Sequence, residues 1–132
     1  MELGDCHWQE PRIGTAHRWV IISLPDRDGA VQVNFTSPGG YITETTCVVT
    51  PRECDFLDHD SLVAYQFAEL ITLDDYQSRK AQGLLTRVGR VAPAVVRRMQ
   101  DGALESRNVA GRHRAKIRAR LVDPTLSWSS QP

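Results

Sequence analysis

Two apolar runs held apart by a turn constrain this chain more than any other feature. Trp19–Leu24 (WVIISL) is continuous, rich in β-branched residues and stopped by Pro25, which suits a strand covered on both faces. In the second run Val31, Val33 and Phe35 alternate with Gln32, Asn34 and Thr36, so the two sets project to opposite faces of a strand. Asp26-Arg27-Asp28-Gly29 supplies turn formers between them, with Gly29 free to take positive φ. The runs therefore predict an antiparallel hairpin that needs no crossover helix.

The turn residues Pro38-Gly39-Gly40 break the chain next, and further short strands are predicted at Thr45–Thr50, Ser61–Tyr65 and Ala68–Thr72. Short strands at such close spacing favour a small antiparallel sheet that curls into a barrel. Thr72 and Asp75 match a capping pattern and predict a helix over Leu73–Lys80. Pro93 fits the first turn of a second helix, running to about Leu104, with Val95, Val96 and Met99 as its apolar stripe. A third is expected to begin at Ser106, with Val109, Ala110, Ile117 and Leu121 inward and Arg112, Arg114, Lys116, Arg118 and Arg120 around the rest. The reading is one α+β domain over residues 1–122, a small β-barrel with C-terminal helices, followed by a loosely ordered tail, residues 123–132, with little but Trp128 to bury.

A chain of 132 residues, 41% hydrophobic and 24% charged, can bury a core without disulfides and argues against disorder. Cys6, Cys47 and Cys54 are an odd set without CxxC spacing, so reduced thiols are expected. No stretch reaches the roughly 20 apolar residues of a membrane span, and MELGDCHWQEPR lacks the basic-then-apolar order of a signal peptide. The expectation is a cytoplasmic protein with no membrane partner.

Zero net charge conceals an asymmetry. Up to Ser78 there are four basic residues against thirteen acidic ones, and from Arg79 onward twelve basic against three acidic. Such a division suits either a nucleic-acid surface or a docking face for an acidic partner, or else two halves that neutralise one another on folding.

The order of His17-Arg18, the apolar strand Val20–Ser23, a turn, and a second strand Val33–Ser37 ending in Thr-Ser resembles the MazF/PemK-like toxins. That resemblance, over roughly His17 to Tyr76, implies an SH3-like barrel and a cytoplasmic, metal-independent endoribonuclease without cofactors. It also implies a homodimer neutralised by a cognate antitoxin protein. It places catalysis on Arg18 and Thr36. The sequence departs from the family pattern where Trp19 stands in place of the usual Pro after the Arg, and the spacing to Ser23 is one residue short; a one-residue slip turns a strand's side chains to the other face.

Metal-free RNA cleavage needs a base for the 2′-hydroxyl, an acid for the leaving 5′-oxygen and donors on the phosphate. Arg18 is suited to grip the phosphate, Thr36 and Ser37 to donate to the same oxygens, and His17 to move a proton, since imidazoles titrate near neutrality. Arg112, Arg114, Lys116 and Arg118 are the candidate RNA-binding cations. Trp8, Trp19 and Phe35 are aromatic candidates for stacking on bases, although such residues also serve as core. Cys47, Cys54 and His59, with Asp55, Asp58 and Asp60 nearby, do not have the spacing of structural zinc sites, so no metal is assigned and the acidic residues read as a solvated loop. The chain contains no GxxxxGK[ST], GxGxxG or HExxH motif. The rival class is a non-catalytic RNA- or protein-binding module on the same barrel.

Overall fold

The structure, a computed structural model, describes residues 1–11 and 14–128. Six strands, β1 (Asp5–Gln9), β2 (His17–Ile21), β3 (Ala30–Thr36), β4 (Val48–Val49), β5 (Ser61–Ile71) and β6 (Leu85–Arg90), are joined by helices α1 (Leu73–Ala81), α2 (Pro93–Glu105) and α3 (Gly111–Ala119). The strands form one antiparallel sheet in the order β4-β5-β3-β2-β1-β6, curled into a half-barrel.

The central hairpin forms as its residues dictate. Asp26 and Gly29 exchange backbone hydrogen bonds of 3.0 Å each, and the Asp28 amide donates to Asp26 Oδ1 at 2.8 Å. Gly29 is required here twice over: its φ is +115°, and a Cβ would lie 2.1 Å from the Ile71 carbonyl oxygen. Ser23 is buried, and its Oγ accepts from the Val31 amide at 2.7 Å, prolonging the hairpin past β2.

The alternation of β3 then separates two layers. Val20, Ile22, Val31, Val33, Phe35, Val63 and Tyr65 share a core cluster with Val95, Val96, Met99 and Ala103 of α2 and Ile117 of α3. Burial of each large side chain there stabilises the fold by about 1.5–3 kcal/mol. Gln100 ties the layers together, donating from Nε2 to Ile22 O at 3.0 Å and Arg120 O at 3.1 Å, and accepting at Oε1 from the Val122 amide at 2.8 Å. On the other face Ile21, Ala30, Ile71 and Leu85 meet Tyr76 of α1. Thr72 caps α1 as predicted, its Oγ1 accepting from the Asp75 amide at 3.1 Å.

Several expectations are corrected. β1 and β6 lie outside the expected strands: in β1 Asp5, His7 and Gln9 face inward as polar residues and hide the strand pattern, and in β6 (LTRVGR) Leu85 is the only buried apolar side chain. Ser61–Tyr65 and Ala68–Thr72 belong to one strand, β5, whose pairing with β3 jumps from Ala64 opposite Asn34 to Glu69 opposite Gln32; the surplus residues bend the strand instead of ending it. Thr45–Thr50 contributes only Val48–Val49. α3 starts at Gly111 and not at Ser106, so Val109 is buried ahead of the helix and Leu121 follows it, and His113 joins Ile117 on the buried stripe.

The segment after Asp123, expected to be loose, is anchored at Trp128, whose Nε1 donates to Val91 O at 2.8 Å while the Arg90 guanidinium lies 3.7 Å from its ring centre. Residues 129–132 lie outside the described residues. No helix among the described residues is long and apolar enough to cross a membrane.

Candidate functional site

The strand ends away from the Asp26–Gly29 turn enclose an open cleft of about 480 Å³. It gathers Trp8 from β1, His17 and Arg18 from the start of β2, Thr36 and Ser37 from the end of β3, and Asp58, His59 and Ser61 from the entry to β5. All four residues assigned to catalysis from sequence therefore reach one space.

Register sorts them further. Trp8 pairs with Arg18 and Trp19 with Asn34; continued toward the strand end, this ladder sets Arg18 opposite Phe35 and His17 opposite Thr36. Arg18 thus lies on the face of Trp8 and Phe35, while His17 and Thr36 belong to the opposite face and meet the cleft at its edge. Arg18 and Thr36, on which the family resemblance places catalysis, both line the cleft but come to it from opposite faces of the sheet. Ser37, next in the alternation, stands on the Arg18 side.

A residue missed in the sequence completes the arrangement. Ser37 Oγ lies 2.9 Å from His59 Nε2, and His59 Nδ1 lies 3.5 Å from Ser61 Oγ, a weak contact. The Ser61 hydroxyl donates to the His59 carbonyl at 3.2 Å. The imidazole is thus held between two hydroxyls, with Nε2 turned toward Ser37 and Nδ1 toward Ser61. Its surroundings, DFLDHD, read as a solvated acidic loop; the only local signal was an imidazole two residues before a predicted strand.

Arg18 is half-buried, its guanidinium carbon 5.3 Å from the centre of the Trp8 ring, at the distance of a cation–π contact. Among the described residues no carboxylate lies within salt-bridge distance of Arg18. Its charge is available to an anion in the cleft.

The candidate RNA-binding cations sit elsewhere. Lys116 Nζ contacts Asp26 Oδ2 at 2.6 Å and Asp28 Oδ2 at 4.0 Å, at the hairpin turn and so the length of β3, about 20 Å, from the cleft. Arg114 donates to Ser106 O at 3.3 Å, while Arg112 and Arg118 are exposed. The two charged halves also pair directly, through Arg87–Asp5 and Arg90–Glu2, both at 3.1 Å, and through Arg98–Glu53. The Arg98 hydrogen bond holds the Glu53 carboxyl down at about 2. Mutual neutralisation accounts for part of the asymmetry.

Cys6, Cys47 and Cys54 are buried free thiols. Burial raises the pKa of all three, that of Cys54 to about 11, which suppresses the reactive thiolate. They do not converge with His59: no group of three or more His, Cys, Asp or Glu side chains placed to hold a metal occurs among the described residues.

No family model matches the chain, and no curated protein and no solved structure matches it either.

Proposed function

We propose that the chain is a metal-independent endoribonuclease of the MazF/PemK toxin type, cytoplasmic and built on an SH3-like barrel. The observation that carries this reading is the convergence of Arg18, Ser37 and His59 in one open cleft, with His17 at its edge. His59 Nε2 takes the 2′-hydroxyl proton, the 2′-oxygen attacks phosphorus, and the bond to the 5′-oxygen breaks as His17 protonates the leaving group. Arg18 holds the phosphate oxygens, where charge builds in the transition state, and the Ser37 hydroxyl turns from His59 Nε2 to the same oxygens as the substrate's 2′-hydroxyl takes its place. The toxin reading also carries a homodimer and a cognate antitoxin protein as partners.

A non-catalytic RNA-binding module is the second reading, favoured by the Arg18–Trp8 stack, which offers a platform for a base without any reacting group. Incubation of the purified protein with single-stranded RNA in EDTA separates the two. Fragments ending in a 2′,3′-cyclic phosphate and a 5′-hydroxyl support the endoribonuclease. Intact RNA bound with steep salt dependence supports the module.

A further inference from the structure

On the face of the sheet opposite Arg18 lies a second cleft of about 470 Å³, walled by Gln9, Trp19, Glu69, Arg79 and Gln82 and sharing Thr15 and His17 with the first. Its polar groups are chained. Arg79 Nη1 donates to Gln9 Oε1 at 3.0 Å, Gln9 Nε2 to Gln32 Oε1 at 2.8 Å, and Gln32 Nε2 to Glu69 Oε1 at 2.9 Å. Gln9 and Gln32 are 4% and 0% exposed, an arrangement that would be simpler for the fold with apolar side chains, since each buried amide must keep all its partners. What the chain of amides achieves is orientation: it fixes a carboxylate at one end and a guanidinium at the other, with Glu69 Oε2 left to accept and Arg79 left with further N–H groups to donate. Asn34, opposite Trp19 on the same face, is also buried, and its Oδ1 has no hydrogen-bond partner among the described residues.

We infer that this second cleft is a nucleobase pocket selective for guanine. Resting on the RNA-cleavage reading, it takes the base adjoining the phosphate held at Arg18. Guanine presents two neighbouring donors, N1–H and the N2 amino group, to one carboxylate, with the O6 acceptor beside them. Adenine and cytosine place an acceptor nitrogen next to their amino group, which would face the lone pairs of Glu69, and uracil flanks its single N–H with two carbonyls. The half-buried Trp19 supplies a stacking surface, as unpaired RNA bases require. The wall shared through Thr15 and His17 lets one strand enter both clefts.

The test is a titration of wild-type protein with guanosine 5′-monophosphate and adenosine 5′-monophosphate, followed by tryptophan fluorescence, together with kcat/KM for oligoribonucleotides differing only in G or A beside the cut. A well-placed bidentate base contact discriminates about ten- to hundredfold, so that preference for guanine is expected in both measurements. Glu69→Gln, which keeps an acceptor for Gln32, should collapse the G-to-A ratio. Equal binding of the two nucleotides by wild-type protein overturns the pocket whatever the variant does. Cleavage without a G preference also overturns the pocket and leaves the endoribonuclease standing. Selective guanosine monophosphate binding by a protein that cuts no RNA keeps the pocket and removes the endoribonuclease.

Discussion

On one face of the sheet Val31, Val33 and Phe35 meet Met99, Ala103 and Ile117; on the other, residues of the same strand, Gln32 and Asn34, lie as deeply buried beside His7 and Gln9. The first face follows the rule for a core, with apolar area removed from water and few polar groups to satisfy, chiefly Gln100 and the Tyr65 hydroxyl. The second, beside the smaller apolar cluster of Ile21, Ile71 and Leu85, holds amides and an imidazole that gain little by burial and demand partners. A fold of this size could be built on two apolar faces. The polar face is therefore where binding chemistry is to be sought, and the Arg18 cleft opens where the two faces end together.

The sharpest way to break the comparison is to remove volume from the apolar face. Met99→Ala should lower unfolding free energy by about 2–5 kcal/mol in urea titrations; a smaller loss than that from a polar-face substitution would reverse the roles assigned to the two faces.

Titration probes the polar face without mutation. Burial lowers the His7 pKa from 6.5 to about 4, so between these values the unfolded chain binds the proton and the native one does not. Stability contributed by neutral His7 is complete above pH 6.5 and is lost as pH falls toward 4, by up to about 3 kcal/mol. Urea unfolding across that window should show stability rising with pH, and His7→Gln should flatten the rise.

Gln32→Leu comes next. It strips the acceptor from buried Gln9 Nε2 and the donor from Glu69 Oε1, an expected loss of about 1–3 kcal/mol, also read in urea. A neutral result would mean that the amide relay can be dispensed with for folding.

The smallest change in stability is expected where the change in activity is largest. Arg18→Ala should leave unfolding within about 0.5 kcal/mol of the parent and reduce RNA cleavage about a hundredfold or more, measured on the same preparation. Equal cleavage by parent and variant would remove Arg18 from the mechanism.

Legibility in the sequence follows the same division of faces. The hairpin, α1 and α2 could be read because their signals are local: a turn with a required glycine at Gly29, a cap at Thr72, a proline at Pro93 opening an apolar stripe. β1 and β6 could not, because strand alternation is recognised by apolar residues facing inward, whereas β1 turns Asp5, His7 and Gln9 inward and β6 buries only Leu85 among its apolar side chains. At the site, His17, Arg18, Thr36 and Ser37 were legible as polar rims of apolar strands. His59 was not, since its 2.9 Å contact to Ser37 joins residues 22 positions apart and nothing in the acidic loop around it marks that meeting. The division of Arg18 and Thr36 between faces rests on parity, which one residue of spacing decides.

The most direct measurement of the central claim uses an oligodeoxynucleotide carrying a single ribonucleotide, incubated with the protein in EDTA. Attack by a 2′-hydroxyl predicts one cut, immediately 3′ to that ribose, leaving a 2′,3′-cyclic phosphate, and no cut in the all-deoxy control. Cleavage of the control, or cleavage that vanishes in EDTA and returns with added zinc or magnesium, would contradict it.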